Sequence, residues 1–212
     1  VTEDTGTIYA TFTAYVPGSI YYYSSGAWDP DVPSAGGDGA WNGSDGNWDS
    51  AKKASFGGSG GTVDLQTVTA NNGINIEANG YLLRNGTLTL GGMGADNIID
   101  VSSAVSAEIS SVIDGTNGLT KQGEGTLTLS GINTITGGFS VVKGLVKLGN
   151  ATALGQSSNA VTVYNGAAID LNGYSVTNTN TLTLVGTGIS SGGALFNSST
   201  TAVSYTHLRA HE

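Results

Sequence analysis

The first 56 residues contain the side chains best suited to hold a metal ion. Five carboxylates, those of Asp29, Asp31, Asp38, Asp45 and Asp49, fall within this segment. Ca²⁺ takes about six to eight oxygen ligands, which such a cluster could supply. The spacing, however, follows neither the EF-hand loop nor the tandem Gly-Asp nonapeptide. We therefore interpret these acids as part of a solvated loop and predict no metal site.

The same segment is also rich in aromatic side chains that could bind a ligand. It holds ten of the sixteen aromatic residues of the chain, including all three tryptophans, Trp28, Trp41 and Trp48. An exposed indole ring can stack on the apolar face of a sugar, so the three are candidate glycan-binding residues. They could instead close the end of a repeat structure, which would otherwise expose its core and unpaired strand edges. We favour the cap and keep glycan binding as the alternative.

Beyond residue 56, acidic and basic side chains are spread singly along the chain. A polysaccharide lyase or hydrolase needs clustered carboxylates with a base, or two acids facing each other across a sugar. The two histidines, His207 and His211, fall in the last ten residues. We therefore predict no catalytic residue and no cofactor, and we assign the charges a solubilising role. They are Asp64, Glu77, Asp96, Asp100, Glu108, Asp114, Glu124, Asp170, Arg84, Lys121, Lys143 and Lys147.

The composition predicts short β-strands. Glycine numbers 34 among 212 residues, and only 11% of residues are Asp, Glu, Lys or Arg, about half the usual share. Gly, Thr, Asn, Ser and Val are poor helix formers but suit strands separated by turns. A net charge of −9 disfavours nucleic acid and anionic membranes as partners. The absence of cysteine excludes disulfides and thiolate metal sites.

A recurring phrase in the middle of the chain predicts where the strands lie. In 86–91 and 125–131 a glycine precedes Thr-Leu-Thr-Leu, so polar and apolar residues alternate as in a half-buried strand. The expected inward pairs are Leu88/Leu90, Leu127/Leu129, Val146/Leu148, Ile169/Leu171 and Leu182/Leu184, with further strands at Val63/Leu65, Ile74/Ile76, Ile99/Val101 and Val161/Val163.

Strands of this length fit either an antiparallel sandwich or a parallel β-helix. The five inward pairs begin 39, 19, 23 and 13 positions apart, close to multiples of a half-coil of about a dozen residues. Repetition of one phrase favours the β-helix, because equivalent residues then stack about 4.8 Å apart. We predict an all-β parallel solenoid of roughly six coils of about 20–25 residues, with the five phrases stacked in parallel.

One of these phrases is part of a longer segment that resembles a known repeat family. Residues 118–138, GLTKQGEGTLTLSGINTITGG, together with 142–149 and 153–155, closely resemble the autotransporter-associated β-strand repeat. Ile135 stands where tyrosine is common in that repeat. The Trp-rich segment 41–48 resembles the opening of many such secreted proteins. The resemblance covers about residues 38–200 and implies a right-handed parallel β-helix in a cell-surface or secreted bacterial protein.

We divide the chain into three parts. Residues 1–56 are an aromatic, acidic N-terminal cap, and residues 57–202 are β-helix repeats. Residues 203–212, VSYTHLRAHE, resemble the translation of a transposase adapter used for sequencing libraries, and we expect them to make few buried contacts. No basic or apolar leader follows Val1, so we interpret the chain as starting inside a longer gene product.

These observations predict a structural role. We expect a non-enzymatic stalk or passenger segment, located outside the cell or attached to the outer membrane in the full-length protein. Surface glycans, a host cell or a neighbouring cell are the expected partners if the segment is adhesive. We expect no nucleic-acid partner and no membrane contact by this segment. Two alternatives stay open: a carbohydrate-active β-helix enzyme, and a glycan-binding module that uses Trp28, Trp41 and Trp48.

Overall fold

The computed structural model describes residues 20–24, 27–29, 36–42, 48–93, 97–157, 159–177, 179–204 and 208–210, with backbone only at 20–24, 27–29 and 208–210. Within these ranges the chain forms strands and turns, plus one 3-10 turn at Ile189–Ser191. None of the described residues forms a helix with the length and apolar composition that crossing a membrane requires.

Twenty-one short strands follow one another through the described residues. In chain order they are β1 (Ile20–Ser24), β2 (Ala27–Asp29), β3 (Gly39–Trp41), β4 (Lys53–Phe56), β5 (Thr62–Leu65), β6 (Thr67–Thr69), β7 (Ile74–Ile76), β8 (Tyr81–Arg84), β9 (Thr87–Thr89), β10 (Ile98–Val101), β11 (Ser106–Ile109), β12 (Val112–Asp114), β13 (Leu119–Gln122), β14 (Thr126–Leu129), β15 (Phe139–Val141), β16 (Gly144–Leu148), β17 (Val161–Val163), β18 (Ala167–Asp170), β19 (Leu182–Leu184), β20 (Leu195–Phe196) and β21 (Leu208–Ala210).

The strands form three sheets that run along a solenoid. Sheet A has the order β2-β1-β4-β7-β10-β13-β15-β17-β19-β21, sheet B the order β20-β18-β16-β14-β11-β8-β5-β3, and sheet C the order β12-β9-β6. Apart from the antiparallel pair β1–β2, the strands pair in parallel with their equivalents in the next coil. The eight strands of sheet B correspond to about seven turns, one more than expected. The predicted parallel solenoid is therefore confirmed, and the antiparallel sandwich is rejected.

The length of one coil follows from the strand register. Leu127 pairs with Val146, which pairs with Ile169. From β3 in sheet B and β4 in sheet A onward, paired residues lie 19 to 26 positions apart. This range matches the expected coil of about 20–25 residues.

The alternation of side chains produces a continuous core. In β14 the leucines are buried and the threonines face outward, because successive residues of a strand point to opposite faces. Each buried Leu, Ile or Val contributes about 1.5–3 kcal/mol relative to an exposed one. The expected inward residues are buried, except that Leu184, near the end of the described stack, is only partly buried.

The five repeated phrases do not all stack on one another. Leu127, Val146 and Ile169 form one column in sheet B. Leu88 lies in sheet C, where it pairs with Val68 and Ile113, and Leu182 lies in sheet A. All five phrases still form strands that pair in parallel, as expected, but they are distributed over three sheets. The phrase encodes an alternating strand, and the same alternation suits any of the three sheets.

Asparagine side chains link neighbouring coils at the corners. The Asn133 carbonyl oxygen accepts a hydrogen bond from the Ile113 N–H at 2.9 Å, and its amide donates to the Ala153 carbonyl at 2.7 Å. One side chain thus joins three successive coils. Farther along, the Asn180 amide donates to the Asn159 carbonyl at 3.1 Å. These bonds satisfy backbone groups that a turn would otherwise bury unpaired.

Close approach of the backbones fixes glycine at another corner. Gly123 has φ +72°, and a Cβ there would collide with the carbonyl oxygen of Val101 in the preceding coil. Gly144, with φ +69°, lies against Gly123 in the same way. A side chain at either position would force the coils apart.

The two ends of the chain bear on the proposed division into three parts. Most of residues 1–35 lie outside the described residues, so the aromatic cap stays a prediction.

At the C-terminal end, β21 pairs in parallel with β19, and Val203 packs against the core. These contacts exceed what we expected of residues 203–212. Backbone pairing does not depend on side-chain identity, however, and an open sheet edge accepts any extended segment. The origin of the tail therefore also stays a prediction.

Candidate ligand-binding recess

An open recess of about 990 Å³ lies beside the corner where β5 leads into β6. Leu65, Gln66 and Thr67 line it from this corner. Its remaining lining residues are Asn42, Trp48, Asp49, Ser50, Thr69 and Gly86. The coils are tied together here by a 2.7 Å hydrogen bond from the Thr87 N–H to the Gln66 carbonyl. The recess therefore collects residues from three coils.

Trp48 is held in place on one side of the recess. Its indole Nε1 donates a hydrogen bond to the Thr69 carbonyl at 3.0 Å. Its ring meets Trp41 edge to face, with centroids 4.9 Å apart and planes at 86°. Trp48 is half-buried, whereas Trp41 is fully buried. A fixed ring that stays partly accessible can bind a ligand without first losing side-chain freedom.

The three candidate tryptophans have different surroundings. Trp41 is 0% exposed, so it has no ring face to offer a sugar. Instead it belongs to a buried aromatic row with Phe56 and Tyr81, whose ring centroids follow one another at 5.5 and 5.3 Å. The side chain of Trp28 lies outside the described residues. Between Trp41 and Trp48, Trp48 is thus the candidate that lines the recess, and its role in glycan binding stays a prediction.

Polar residues line the recess together with Trp48. Gln66 and Thr67 are exposed, and among the described residues their side chains take no hydrogen-bond partner. The Ser50 hydroxyl accepts a hydrogen bond from the Asn71 amide at 3.1 Å. Sequence reasoning missed Gln66 and Thr67 entirely. Their only signal was two consecutive polar residues that interrupt the alternation after Leu65.

The two N-terminal aspartates whose side chains the structure describes accept hydrogen bonds from backbone N–H groups, Asp38 across to the next coil and Asp49 within a turn. An Asp38 carboxylate oxygen accepts from the Thr62 N–H at 2.7 Å, and one of Asp49 accepts from the Ala51 N–H at 2.9 Å. Asp31, Asp45 and the Asp29 side chain lie outside the described residues. In the ranges that are described, no three His, Cys, Asp or Glu side chains lie close enough to hold a metal ion.

Charges on the outer faces of the repeats form pairs between coils. The Asp64 carboxylate lies 2.7 Å from the Arg84 Nε, and the hydrogen bond from Arg84 lowers the pKa of Asp64. Both side chains are exposed, so the pair adds little stability. The Lys143 Nζ lies 4.0 Å from Glu124. These positions agree with the solubilising role expected of them.

Asp170 does not fit that role, because it is only 2% exposed. Burial raises its pKa, but hydrogen bonds from the Ser198 hydroxyl, the Ser198 N–H and the Asn172 N–H, together with the charge of Lys147, outweigh burial and lower the pKa overall. The Lys147 Nζ lies 3.7 Å away. The carboxylate thus joins the last coils of the solenoid.

Lys121 was predicted to be a solubilising surface charge, and that prediction was wrong. It is 0% exposed, because the alternation of β13 turns Leu119 and Lys121 inward. Its ammonium donates to the carbonyls of Gln122, Gly123 and Lys143 at 2.8, 2.6 and 3.0 Å. Burial lowers the pKa of Lys121 to about 8, opposed by the nearby charge of Asp100.

Comparison with known proteins places this architecture in a family. The passenger-associated-transport-repeat family matches residues 119–148. This chain is an autotransporter-associated repeat protein. It aligns with the adhesin BmaC autotransporter of Brucella suis biovar 1 (strain 1330) at 36% identity; the alignment is 164 residues long and covers 69% of this chain. The chain spans only 5% of the length of that relative. No solved structure matches it.

The family match divides this autotransporter-associated repeat protein into two regions. Residues 119–148 run from β13 to the end of β16 and contain Lys121, Asn133 and the corner glycines Gly123 and Gly144. The matched segment thus includes the features that connect coils. The recess, lined by residues between Asn42 and Gly86, lies outside it.

Proposed function

We propose that this chain is a stretch of an autotransporter passenger that is displayed at the bacterial cell surface and contributes to adhesion. The observation that carries the proposal is the identity of 36% to an adhesin autotransporter over most of this chain. The matched transport repeat supports the same role. Because the chain spans 5% of that relative, it would supply one segment of a much longer fibre.

The stacked coils suit such a segment. Each coil contacts only its neighbours, so a solenoid can grow by adding coils of about 4.8 Å each. Its outer face is polar and regular, since Thr120, Ser140, Thr162 and Thr183 occupy one outward column of sheet A. A face of hydroxyl groups keeps a long stack soluble while it is displayed.

Adhesion can be tested by surface display. The 212-residue chain would be fused to a carrier on a non-adherent bacterium, and attachment to cultured epithelial cells and to glycan-coated glass would be measured. We expect attachment to rise above that of bacteria carrying the carrier alone. A Leu127→Asp chain, displayed in equal amount, is the control for a folded solenoid. Equal attachment of all three strains would reject the adhesive role.

We also propose that the segment has no catalytic activity. Its paired charges support this, because Arg84 and Lys147 are each engaged with an aspartate. The purified chain would be incubated with a panel of neutral and acidic polysaccharides, and reducing ends and unsaturated products would be measured. Product release that disappears on Asp170→Asn or Asp64→Asn would reject the proposal and favour a carbohydrate-active enzyme.

A further inference from the structure

We infer that the recess beside Trp48 is a binding site for a neutral saccharide. This inference rests on the proposed adhesive role and assigns it a ligand class and a set of residues. Three properties of the recess carry it: a fixed aromatic residue, polar side chains in the same recess that have no hydrogen-bond partner among the described residues, and the negative charge around it.

The first property is the ring. A pyranose has one face of C–H groups, and an indole ring gives that face a flat apolar partner. Trp48 is oriented by its hydrogen bond to the Thr69 carbonyl and by its contact with Trp41. Trp41 is in turn packed on Phe56 in the core. The ring is therefore positioned before any ligand arrives, which reduces the entropy lost on binding.

The second property is the polar lining. A sugar needs several donors and acceptors around its edge. Gln66 and Thr67 provide an amide and a hydroxyl that have no partner among the described residues. Asn42, Ser50 and Thr69 also line the recess. Apart from Trp48, the one large apolar side chain in the lining is Leu65, which is 3% exposed. A single accessible ring among polar groups suits a sugar better than an apolar peptide.

The third property is charge, which selects among sugars. Asp49 lines the recess and is exposed, and Lys52 approaches its carboxylate only to 4.0 Å. The chain as a whole carries a net charge of −9. Both features repel uronic acids and other anionic sugars. The volume of about 990 Å³ is at the upper end of the range of about 300–1,000 Å³ for ligand sites, so a short oligosaccharide fits better than a single ring.

Saturation-transfer NMR on the 212-residue chain tests this inference. The neutral probes are cellobiose, lactose and N,N′-diacetylchitobiose, and the acidic probe is digalacturonate. We expect transfer to the ring C–H protons of at least one neutral disaccharide, with a dissociation constant in the millimolar range, about 1–10 mM. No transfer to any neutral probe at about 20 mM, or stronger transfer to digalacturonate, would overturn the inference.

Substitutions locate the binding site. Gln66→Ala/Thr67→Ala should weaken binding about fivefold or more, since each lost hydrogen bond is worth roughly that factor. The melting temperature should not change, because both side chains are exposed. Trp48→Leu should abolish transfer, and Trp48→Phe should retain part of it. The matched control Thr116→Ala/Gln156→Ala, at exposed positions elsewhere on the solenoid, should bind like the parent chain.

Affinity that is unchanged by Gln66→Ala/Thr67→Ala would overturn the inference whatever the tryptophan variants do. The same double variant separates this inference from the adhesive role. If the displayed chain promotes attachment and the double variant does so equally, the saccharide site is rejected and adhesion stands. If disaccharide binding depends on the recess but the displayed chain promotes no attachment, the site stands and adhesion is rejected.

Discussion

The early coils and the matched repeat fill the same solenoid with different side chains. In the early coils, Trp41, Phe56 and Tyr81 form a row of rings, and the Tyr81 hydroxyl donates to the Gly57 carbonyl at 2.7 Å. In the repeat, the column Leu127, Val146 and Ile169 is aliphatic. Both cores are fully buried.

The difference lies in what each core can support. Aliphatic side chains stack one above another without a strong preference for relative orientation, so successive coils can have equivalent cores. Aromatic rings interlock at defined angles, and this row fixes Trp48 at the surface. The repeat coils therefore provide length, and the early coils provide a positioned side chain.

The largest expected loss of stability comes from a substitution in the aliphatic column. Leu127→Asp would bury an unpaired carboxylate between Ala107 and Val146, and we expect it to lower the free energy of unfolding by more than about 4 kcal/mol. Thr126→Asp, on the outward face of the same strand, should change it by less than about 1 kcal/mol. Denaturant melts followed by circular dichroism measure both. Similar losses for the two variants would contradict the assigned alternation.

The next largest effect is expected from a substitution in the aromatic row. Trp41→Ala would leave a large cavity and cost about 3–5 kcal/mol. It should also free the ring of Trp48, which loses its edge-to-face partner. Thermal melts report the first effect. The fluorescence anisotropy of Trp48, measured in Trp28→Phe/Trp41→Ala and compared with Trp28→Phe/Trp41→Phe, reports the second, because Trp48 is then the one tryptophan in both chains. If Trp48 were equally ordered in the two chains, the proposed dependence of the surface on the aromatic core would fail.

Lys121 offers a test inside the repeat that depends on pH. Its folded-state pKa of about 8 lies below the value of about 10.4 expected when unfolded. Between these values the unfolded chain binds more protons, so the contribution of Lys121 to stability rises with pH. We expect the parent chain to gain about 1–2 kcal/mol over Lys121→Met between pH 7.5 and 9.5.

The control for that measurement is Lys143→Met, at an exposed lysine, whose stability relative to the parent should hardly change over the same pH range. Urea melts at each pH provide the comparison. A constant difference between the parent and Lys121→Met from pH 7.5 to 9.5 would contradict the buried position of the ammonium.

The smallest expected effect is at the C-terminal end. If residues 203–212 are a translated adapter, deleting them should change stability by no more than about 0.5 kcal/mol, despite the pairing of β21 with β19. Calorimetry of chains 1–212 and 1–202 measures the difference. A larger loss would show that the tail belongs to the fold and that its strand does more than occupy an open sheet edge.

Much of the fold could be predicted because alternation is a local property. Leu127, Leu129 and Leu148 were expected inside, and they are buried. Their neighbours Thr128 and Lys147 could be placed on the outer face for the same reason. Lys121 was misassigned because its charge was given more weight than its position, two residues after Leu119 on the inward face.

The recess could be predicted only in part. Trp48 was a candidate, but its local sequence does not distinguish it from Trp41. Both lie in the same aromatic-rich segment, yet Trp41 is buried. Gln66 and Thr67 are about 18 positions from Trp48 in the sequence and were not considered. They line the same recess because one coil of the solenoid brings them there.

By itself, the sequence determined that this protein is a parallel solenoid, which of its alternating Leu, Ile and Val residues point into the core, and which repeat family it resembles. These follow from periodicity, since a side chain's face depends only on its place in the alternation. The tertiary structure decided which sheet each phrase joins, that Trp48 rather than Trp41 stays partly accessible, and which three carbonyls the Lys121 ammonium meets. Each of these depends on corners of variable length, because one added residue there changes which residues of successive coils meet.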